Sequence, residues 1–181
     1  MQEEQALVSR AQEHQQEAFA ELYERYFNKI YRYCVLKIGN REDAEDMAQQ
    51  VFIKAAQSIS SFKWRDVPFS AWLYRIAHNQ LVDYLRKKSR QVSVPLDETM
   101  AVSSNNPQKT TELKMDIKEM LKATRGLTEA QREVISLRFS GELPIARVAE
   151  IMGKSQGAVK ALQHSAIVAL RKTMVGVVDN D

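Results

Sequence analysis

Polar side chains recur at helical spacing in three separate parts of the chain, and each set suits a different chemistry. The first set is acidic and amide-bearing and consists of Asp43, Glu45, Asp46, Gln49 and Gln50. The second is mostly basic and consists of Arg75, Asn79, Asp83, Arg86 and Lys87. The third consists of Ser155, Gln156, Lys160, Gln163 and His164. Residues three or four apart share a helix face, so each set predicts a polar surface that faces away from the core.

The acidic set suits a basic protein partner, a metal ion or solvent alone. The Glu-x-x-His motifs of helical metal-binding bundles are absent, which favours a docking or solvated face over a metal site. Acids gather at residues 42–46, whereas bases gather at residues 86–90 and 171–172 of a chain whose net charge is only +3. Separate acidic and basic surfaces can bind a protein with one and a polyanion with the other.

The basic set follows two aromatic residues, Phe62 and Trp64, in a segment that breaks the helical pattern. We interpret residues 60–68 as an exposed loop. Asparagine and arginine bind bases or phosphates, Asp83 can pair with Arg86 or Arg75 as a positioning partner, and aromatic rings beside basic residues stack unpaired bases. Each feature alone also fits a structural role, as an ion-paired helix face or as loop aromatics folded onto the core. Their combination favours a surface for single-stranded nucleic acid.

The third set lies in a segment with the pattern of a helix-turn-helix. Pro144 suits the first turn of a short helix, Gly153 a tight turn, and Ser155 the N-cap of the following helix. The second helix of this motif enters the major groove, where Lys160 and Gln163 can donate hydrogen bonds to base edges. The alternative is an ordinary helical hairpin with a polar outer face.

The elements that carry these sets are all predicted to be helical, which gives an all-α fold of two small domains. A helical bundle spans residues 1–90, a flexible linker without sustained periodicity spans 91–111, and the helix-turn-helix domain spans 112–175. Gly39 should end one helix and Asn40 should cap the next. Thr128 and Gln131 have the spacing of a capping box.

Catalysis is not expected from this sequence. The three histidines (His14, His78 and His164) lie on separate elements, and neither a Cys/His metal spacing nor a glycine-rich phosphate loop is present. We therefore expect no enzyme activity, no cofactor and no metal. Cys34 is predicted to be a reduced packing residue. The acidic N-terminus and the lack of a long apolar run predict a cytoplasmic protein that does not insert into membranes.

Several blocks of the sequence resemble one family in order and spacing. The segments AFAELYERY (residues 18–26), DAEDMAQQVF (43–52) and FSAWLYRIAHN (69–79) are similar to the sigma-two domain of extracytoplasmic-function (ECF) sigma factors. The segment LTEAQREV (127–134) and the helix-turn-helix resemble their sigma-four domain. The resemblance covers nearly the whole chain.

This resemblance implies two partners, core RNA polymerase and promoter DNA. The acidic set would bind the clamp helices of the largest polymerase subunit, and the polymerase flap is a further expected contact. The loop with Phe62 and Trp64 would capture a flipped base of the minus-ten element, and the basic set would surround the melted strand. The third set would read the minus-thirty-five element, and the linker would follow the RNA exit path. An anti-sigma factor is also expected.

One departure from the family and one competing interpretation remain at this stage. Family members often carry arginines late in the recognition helix, where this chain has Ser165, Ile167 and Val168. Fewer phosphate contacts predict weaker and less salt-sensitive duplex binding. The competing interpretation is a stand-alone helix-turn-helix regulator that binds duplex operator DNA, usually as a dimer. It explains the second domain but leaves the acidic and basic sets of the first without a role.

Overall fold

The computed structural model describes residues 2–64, 67–91 and 117–178, except for the side chains of 91 and 173–178. Every regular element in these ranges is helical, which confirms the predicted all-α class. The elements are α1 (Gln2–Gln12), α2 (Gln16–Ile38), α3 (Arg41–Ser58), a 3-10 turn (Ile59–Ser61), α4 (Phe69–Gln91), α5 (residues 117–124), α6 (Glu129–Ile135), a π-helical turn (Ser136–Ser140), α7 (Ile145–Met152) and α8 (Gln156–Val178). Apart from residue 91, the predicted linker lies outside the described residues.

Helices α1 to α4 pack around an apolar core in the first domain. The side chains of Leu22, Ile30 and Leu81 are fully buried there. Gly39 ends α2 at a φ of 81°, and the Asn40 side chain accepts a hydrogen bond from the Asp43 N–H at 3.0 Å. A positive φ is readily adopted only by glycine, so the predicted stop and cap are confirmed.

Phe62, between α3 and α4, folds back onto this core, which corrects the interpretation of residues 60–68 as an exposed loop at this one position; Ser60, Ser61 and Lys63 are exposed as expected. The Phe62 side chain is only 6% exposed, and its ring centroid lies 5.1 Å from that of Trp72 and 6.0 Å from that of Phe69. The Gln12 side chain donates hydrogen bonds to the Ile59 and Phe62 carbonyls. The aromatic cluster thereby buries a ring that would otherwise expose a large apolar surface.

The second domain contains the predicted helix-turn-helix. The capping box at Thr128 and Gln131 is formed in both directions, at 3.0 and 3.3 Å. Gly153 ends α7 in the left-handed region (φ 60°), and the Ser155 hydroxyl accepts a hydrogen bond from the Ala158 N–H at 3.2 Å. Helix α7, the glycine turn and the capped helix α8 therefore have the arrangement that the sequence predicts.

The two domains pack against each other, which the sequence does not predict. Helix α2 contacts α6 and the π-helical turn, and α4 contacts α7. At the centre lies a cluster that we call the joint, formed by Tyr33, Lys37, His78 and Glu133. Glu133 belongs to the second domain and the other three belong to the first. The joint therefore links the domains through one buried carboxylate.

Gly141 marks a second place where the domains approach closely. A Cβ atom there would lie 2.7 Å from the Leu137 carbonyl oxygen and 3.1 Å from the Tyr74 ring. Tyr74 belongs to α4 and is fully buried. The Leu137 oxygen belongs to the same domain as Gly141, so a side chain here would strain the local turn and would also press on the Tyr74 ring of the other domain.

Candidate nucleic-acid interface

The basic set forms one exposed stripe along α4, as predicted. All five of its side chains are exposed: Arg75, Asn79, Asp83, Arg86 and Lys87. The Arg86 guanidinium donates to the Asp83 carboxylate at 2.8 Å, as the sequence suggests. Arg75 instead lies 3.9 Å from the Glu150 carboxylate of α7. The second domain therefore lies against one end of the stripe.

The two aromatic residues before α4 differ in their accessibility. Trp64 is half-buried, and its ring meets Phe62 edge to face at 5.8 Å between centroids. Phe62 lies in the core and offers no face for a base in this conformation. The alternative interpretation, a loop aromatic folded onto the core, therefore applies to Phe62. In this conformation its ring has no accessible surface for the expected contact with DNA. Trp64, by contrast, keeps part of its surface exposed.

The acidic set lies on α3, but its members are not equivalent. Asp46, Gln49 and Gln50 are exposed, and Glu45 is half-buried. Burial raises the pKa of the Tyr23 and Tyr31 hydroxyls, and the charge of Glu45 raises it further.

Asp43 differs from the rest of the acidic set because it is tied to α4. Its carboxylate accepts hydrogen bonds from the Tyr84 hydroxyl at 2.6 Å and from the Lys88 ammonium at 3.4 Å. These contacts fix the end of α4 against the start of α3. The candidate docking face and the α4 stripe are therefore connected by side-chain hydrogen bonds between α3 and α4.

The third set occupies the start of α8, next to the glycine turn. The side chains of Gln156, Lys160 and His164 are exposed, whereas the Ser155 hydroxyl is used as the helix cap. Gln163 is half-buried, and its side-chain oxygen accepts a hydrogen bond from Arg138 at 2.9 Å. Three of the five side chains are therefore exposed, and among the described residues none of the three has a bonding partner that would compete with a base.

The joint could not be predicted from the sequence, although its four side chains form one hydrogen-bonded cluster between the domains. The Glu133 carboxylate accepts a hydrogen bond from the Tyr33 hydroxyl at 3.0 Å and from the Lys37 ammonium at 3.1 Å, and it lies 2.7 Å from His78 Nδ1. Burial alone would raise the pKa of Glu133, but the hydrogen bond from His78 and the charge of Lys37 outweigh it and lower this pKa to about 2. No local pattern reveals this cluster, because its members come from three helices that are distant in sequence.

Other kinds of site can be checked within the described ranges. They hold no group of three or more His, Cys, Asp or Glu side chains that could coordinate a metal ion. Cys34 is fully buried, and burial raises the pKa of its thiol to about 12, as expected for a packing residue. No helix in the described part of the chain has the length and hydropathy that a membrane span requires.

Two family models match the chain in consecutive order. Sigma-70 region 2 matches residues 22–91, and sigma-70 region 4 matches residues 124–172. The first match covers the acidic and basic sets, and the second covers the helix-turn-helix. A stand-alone helix-turn-helix regulator would leave the first match unexplained.

Curated relatives extend this similarity over most of the chain. The ECF RNA polymerase sigma factor SigW of Bacillus subtilis is 34% identical over 172 residues, which cover 88% of this chain and 90% of SigW. The ECF RNA polymerase sigma factor BldN of Streptomyces coelicolor is 32% identical over 170 residues, covering 93% of this chain. This chain spans 64% of the length of BldN.

Solved structures share the fold at lower sequence identity. CnrH, solved in complex with the cytosolic domain of CnrY, has a TM-score of 0.66 at 23% identity and covers 96% of this chain and 97% of its own. The sigma factor RpoE of Bartonella quintana, solved with the anti-sigma factor NepR, has a TM-score of 0.68 at 22% identity and covers 86% of this chain and 96% of its own. These likenesses support the all-α two-domain fold.

Proposed function

Because the chain belongs to the ECF sigma factors of the sigma-70 family, we propose that it directs core RNA polymerase to specific promoters and helps to melt them. The observation that carries this proposal is the ordered match of both sigma-70 regions to two helical domains with exposed polar faces. Sigma factors are initiation factors rather than enzymes. Since polymerase and promoter DNA are cytoplasmic, the proposal also assigns the protein to the cytoplasm.

The exposed face of α3 is the proposed binding site for the clamp helices of the largest polymerase subunit. Glu45, Asp46, Gln49 and Gln50 offer charges and amides to a basic or polar partner. Asp43 contributes indirectly, because its bond to Tyr84 fixes the angle between α3 and α4. Docking through α3 would therefore also orient the α4 stripe on the DNA. The flap is the proposed second polymerase contact.

Promoter melting is proposed to depend on capture of an unpaired strand beside Trp64. Extruding a base from the duplex costs a few kcal/mol, and stacking on an aromatic ring returns about 1–3 kcal/mol per base. Arg75, Asn79, Arg86 and Lys87 supply donors for the bases and phosphates of that strand. Asp83 holds Arg86 in place, at 2.8 Å. Polymerase supplies the remaining free energy by holding the domain against DNA.

The start of α8 is the proposed reader of the minus-thirty-five element. Gln156, Lys160 and His164 are exposed where a recognition helix meets base edges. Gln163 must first release Arg138 if it is to contact a base. Ser155 keeps its capping role and can add a backbone contact to phosphate at the helix start.

Both promoter elements cannot be bound while the joint is closed. The elements are separated by about 25 base pairs, which is roughly 85 Å of duplex at 3.4 Å per pair. In this structure α4 and α7 are in direct contact, and Arg75 lies 3.9 Å from Glu150. We therefore propose that the domains separate when polymerase binds.

A protein inhibitor is a further part of the proposal. The related fold of RpoE was solved with an anti-sigma factor, and the polar faces of α3 and α4 are accessible to a partner of the same kind here. Such a partner would block both polymerase and DNA. Recovery of polymerase subunits alone in pull-downs from the native host under non-inducing conditions would contradict this part.

Run-off transcription with core polymerase and genomic fragments tests the proposed function. We expect discrete transcripts only when the protein and core polymerase are both present, and weak duplex binding by the protein alone. A complete lack of initiation on every fragment would contradict the proposal. Tight binding of a symmetric duplex site by a dimer, without polymerase, would support the stand-alone regulator instead.

A further inference from the structure

Gln12, the last residue of α1, binds the turn that precedes Trp64. Its half-buried side chain donates hydrogen bonds to the Ile59 carbonyl at 2.9 Å and to the Phe62 carbonyl at 2.6 Å. These two acceptors lie 47 and 50 residues further along the chain. Because carbonyl oxygens only accept, the amide nitrogen of Gln12 must face them, and it has one hydrogen for each. One side chain therefore ties α1 to two points of the same turn.

The turn itself has little internal support. It is a 3-10 turn of three residues, Ile59–Ser61, and the Phe62 N–H closes it by donating to the Ile59 carbonyl at 3.0 Å. Hydrogen bonds of 3-10 turns have poorer geometry than those of α-helices, so a single short turn is only weakly stable by itself. Gln12 supports this turn from α1, and two aromatic rings of α4 support the Phe62 ring from the other side.

Helix α1 holds Gln12 in a defined place. Leu7, Val8 and Ala11 are buried along one face of α1, at the spacing that a packed helix requires. Near the start of the helix, the Glu3 carboxylate accepts a hydrogen bond from Arg25 of α2 at 2.7 Å. A donor on a packed helix loses less conformational freedom when it binds than a donor on a free segment. The bonds of Gln12 therefore fix the turn relative to the whole bundle.

We propose that Gln12 is a positioning residue for base capture, because it fixes the backbone that carries Trp64. Only Lys63 separates Trp64 from Phe62, whose carbonyl Gln12 binds, and the two aromatic rings meet edge to face at 5.8 Å. A shift of the turn would therefore move the ring on which the unpaired base is proposed to stack. A ring that is already in place avoids the entropy cost of ordering the loop when the strand arrives. This inference rests on the proposed function, because it concerns the same loop.

Amide hydrogen exchange in the free, full-length protein, followed by NMR, tests whether Gln12 fixes the turn. Gln12→Met keeps the length of the side chain and removes its donors. We expect the Phe62 N–H to exchange roughly tenfold faster in this variant, because the turn loses two hydrogen bonds, while the Leu81 N–H in the core keeps its rate. Gln5→Met, at an exposed glutamine of the same helix, is the matched control and should change neither rate. An unchanged Phe62 rate, or an equal rise at Leu81, would overturn the proposal.

Promoter opening tests the role in base capture. The reactivity of unpaired thymines toward permanganate, at saturating core polymerase, measures the fraction of open complex. We expect Gln12→Met to lower this fraction roughly fivefold, as a partial loss of stacking would do, with unchanged affinity for core polymerase. Gln5→Met should behave as the wild type. A loss of polymerase affinity by the same factor in Gln12→Met would indicate a general defect of the first domain and would count against the proposal.

A double-mutant cycle with Trp64→Ala tests whether Gln12 acts through the Trp64 ring. Groups that act through one another have effects that do not add, whereas independent sites add within about a factor of two. In the Trp64→Ala background, Gln12→Met should therefore cause at most about a twofold further loss of open complex. A further loss as large as the one seen in the wild-type background would mean that Gln12 acts elsewhere, and the proposal would be wrong.

The two kinds of measurement separate this inference from the proposed function. If the wild-type protein supports no initiation with core polymerase, the proposed function and the role of Gln12 in base capture both fail, whereas the exchange rates still report whether Gln12 fixes the turn. If initiation succeeds and Gln12→Met opens promoters as well as the wild type does, the proposed function stands and this inference fails.

Discussion

The joint between the domains and the stripe on α4 both pair an acid with basic residues, but the two regions differ in burial and in the number of partners that surround the acid. At the joint, Glu133 has a side chain only 9% exposed, and three groups of the other domain surround it. On the stripe, Asp83 is 59% exposed and pairs with Arg86 alone. Water screens the second pair and is largely excluded from the first.

This difference assigns the two regions different tasks. Breaking a buried charge contact leaves its partners without solvation and costs several kcal/mol, whereas an exposed pair is worth about 0–1 kcal/mol. The joint can therefore hold two domains together. The charged residues of the stripe can exchange one partner for another at little cost in free energy. A surface that must accept a DNA strand needs this property.

The largest predicted effect is that of Glu133→Ala, which removes the carboxylate from the joint. We expect the closed arrangement to lose roughly 3–5 kcal/mol, because Tyr33 and His78 lose their carboxylate partner while they stay buried or half-buried, and Lys37 keeps only the exposed Glu129. Small-angle X-ray scattering should then show a larger radius of gyration. Glu129→Ala is the control: Glu129 also binds Lys37 but is 75% exposed, and its loss should leave the radius nearly unchanged. An unchanged radius in both variants would show that the joint does not hold the domains.

Gly141→Ala should weaken the same packing by a smaller amount. The new Cβ would lie 3.1 Å from the Tyr74 ring of the first domain and 2.7 Å from the Leu137 carbonyl oxygen of its own turn, and relieving such overpacking costs about 1–3 kcal/mol. Gly126→Ala is the matched control, since nothing lies within 4 Å of its Cβ position. Urea titration of the two variants compares them. Equal stabilities would mean that the approach of Gly141 to Tyr74 is not tight in solution.

Acid should open the joint gradually. The pKa of Glu133 is lowered from the ordinary 4.5 to about 2 in the closed arrangement. Its contribution is therefore complete above pH 4.5 and is lost as the pH falls toward 2, by up to tenfold in the closed-to-open ratio per pH unit. Scattering measured between pH 6 and pH 3.5 should show expansion, and Glu133→Gln should remove this pH dependence. A wild-type radius that is constant over this range would contradict the assignment.

Local features of the fold could be predicted from the sequence, whereas the joint could not. The caps at Asn40, Thr128 and Ser155 depend on residues at most three positions away, and the structure confirms all three. Periodicity shows that a position is buried but not which helix covers it. Tyr33 and Glu133 are 100 residues apart, so only the tertiary structure reveals their contact. Phe62 is outside any helical period, so the sequence predicts a loop there, although aromatic partners from α4 bury its ring.

The smallest predicted effect on stability is that of Asp83→Ala on the stripe. Its pair with Arg86 is exposed, so the free energy of unfolding should change by less than about 1 kcal/mol. Run-off transcription should nevertheless fall, because Arg86 loses the carboxylate that orients it toward the strand. Urea unfolding and run-off transcription, each measured on Asp83→Ala and on Glu133→Ala, distinguish the role of the stripe from that of the joint. A loss of stability as large as that of Glu133→Ala would mean that the stripe is structural.

The distance between the domains, measured with and without core polymerase, tests the central claim most directly. Fluorescent labels on Ser9→Cys and Arg171→Cys, both at exposed positions, report this distance, and the fully buried Cys34 should not react with the dyes. The account predicts efficient energy transfer in the free protein and a large loss of transfer once core polymerase and promoter DNA are bound. Unchanged transfer in an active initiation complex would contradict it.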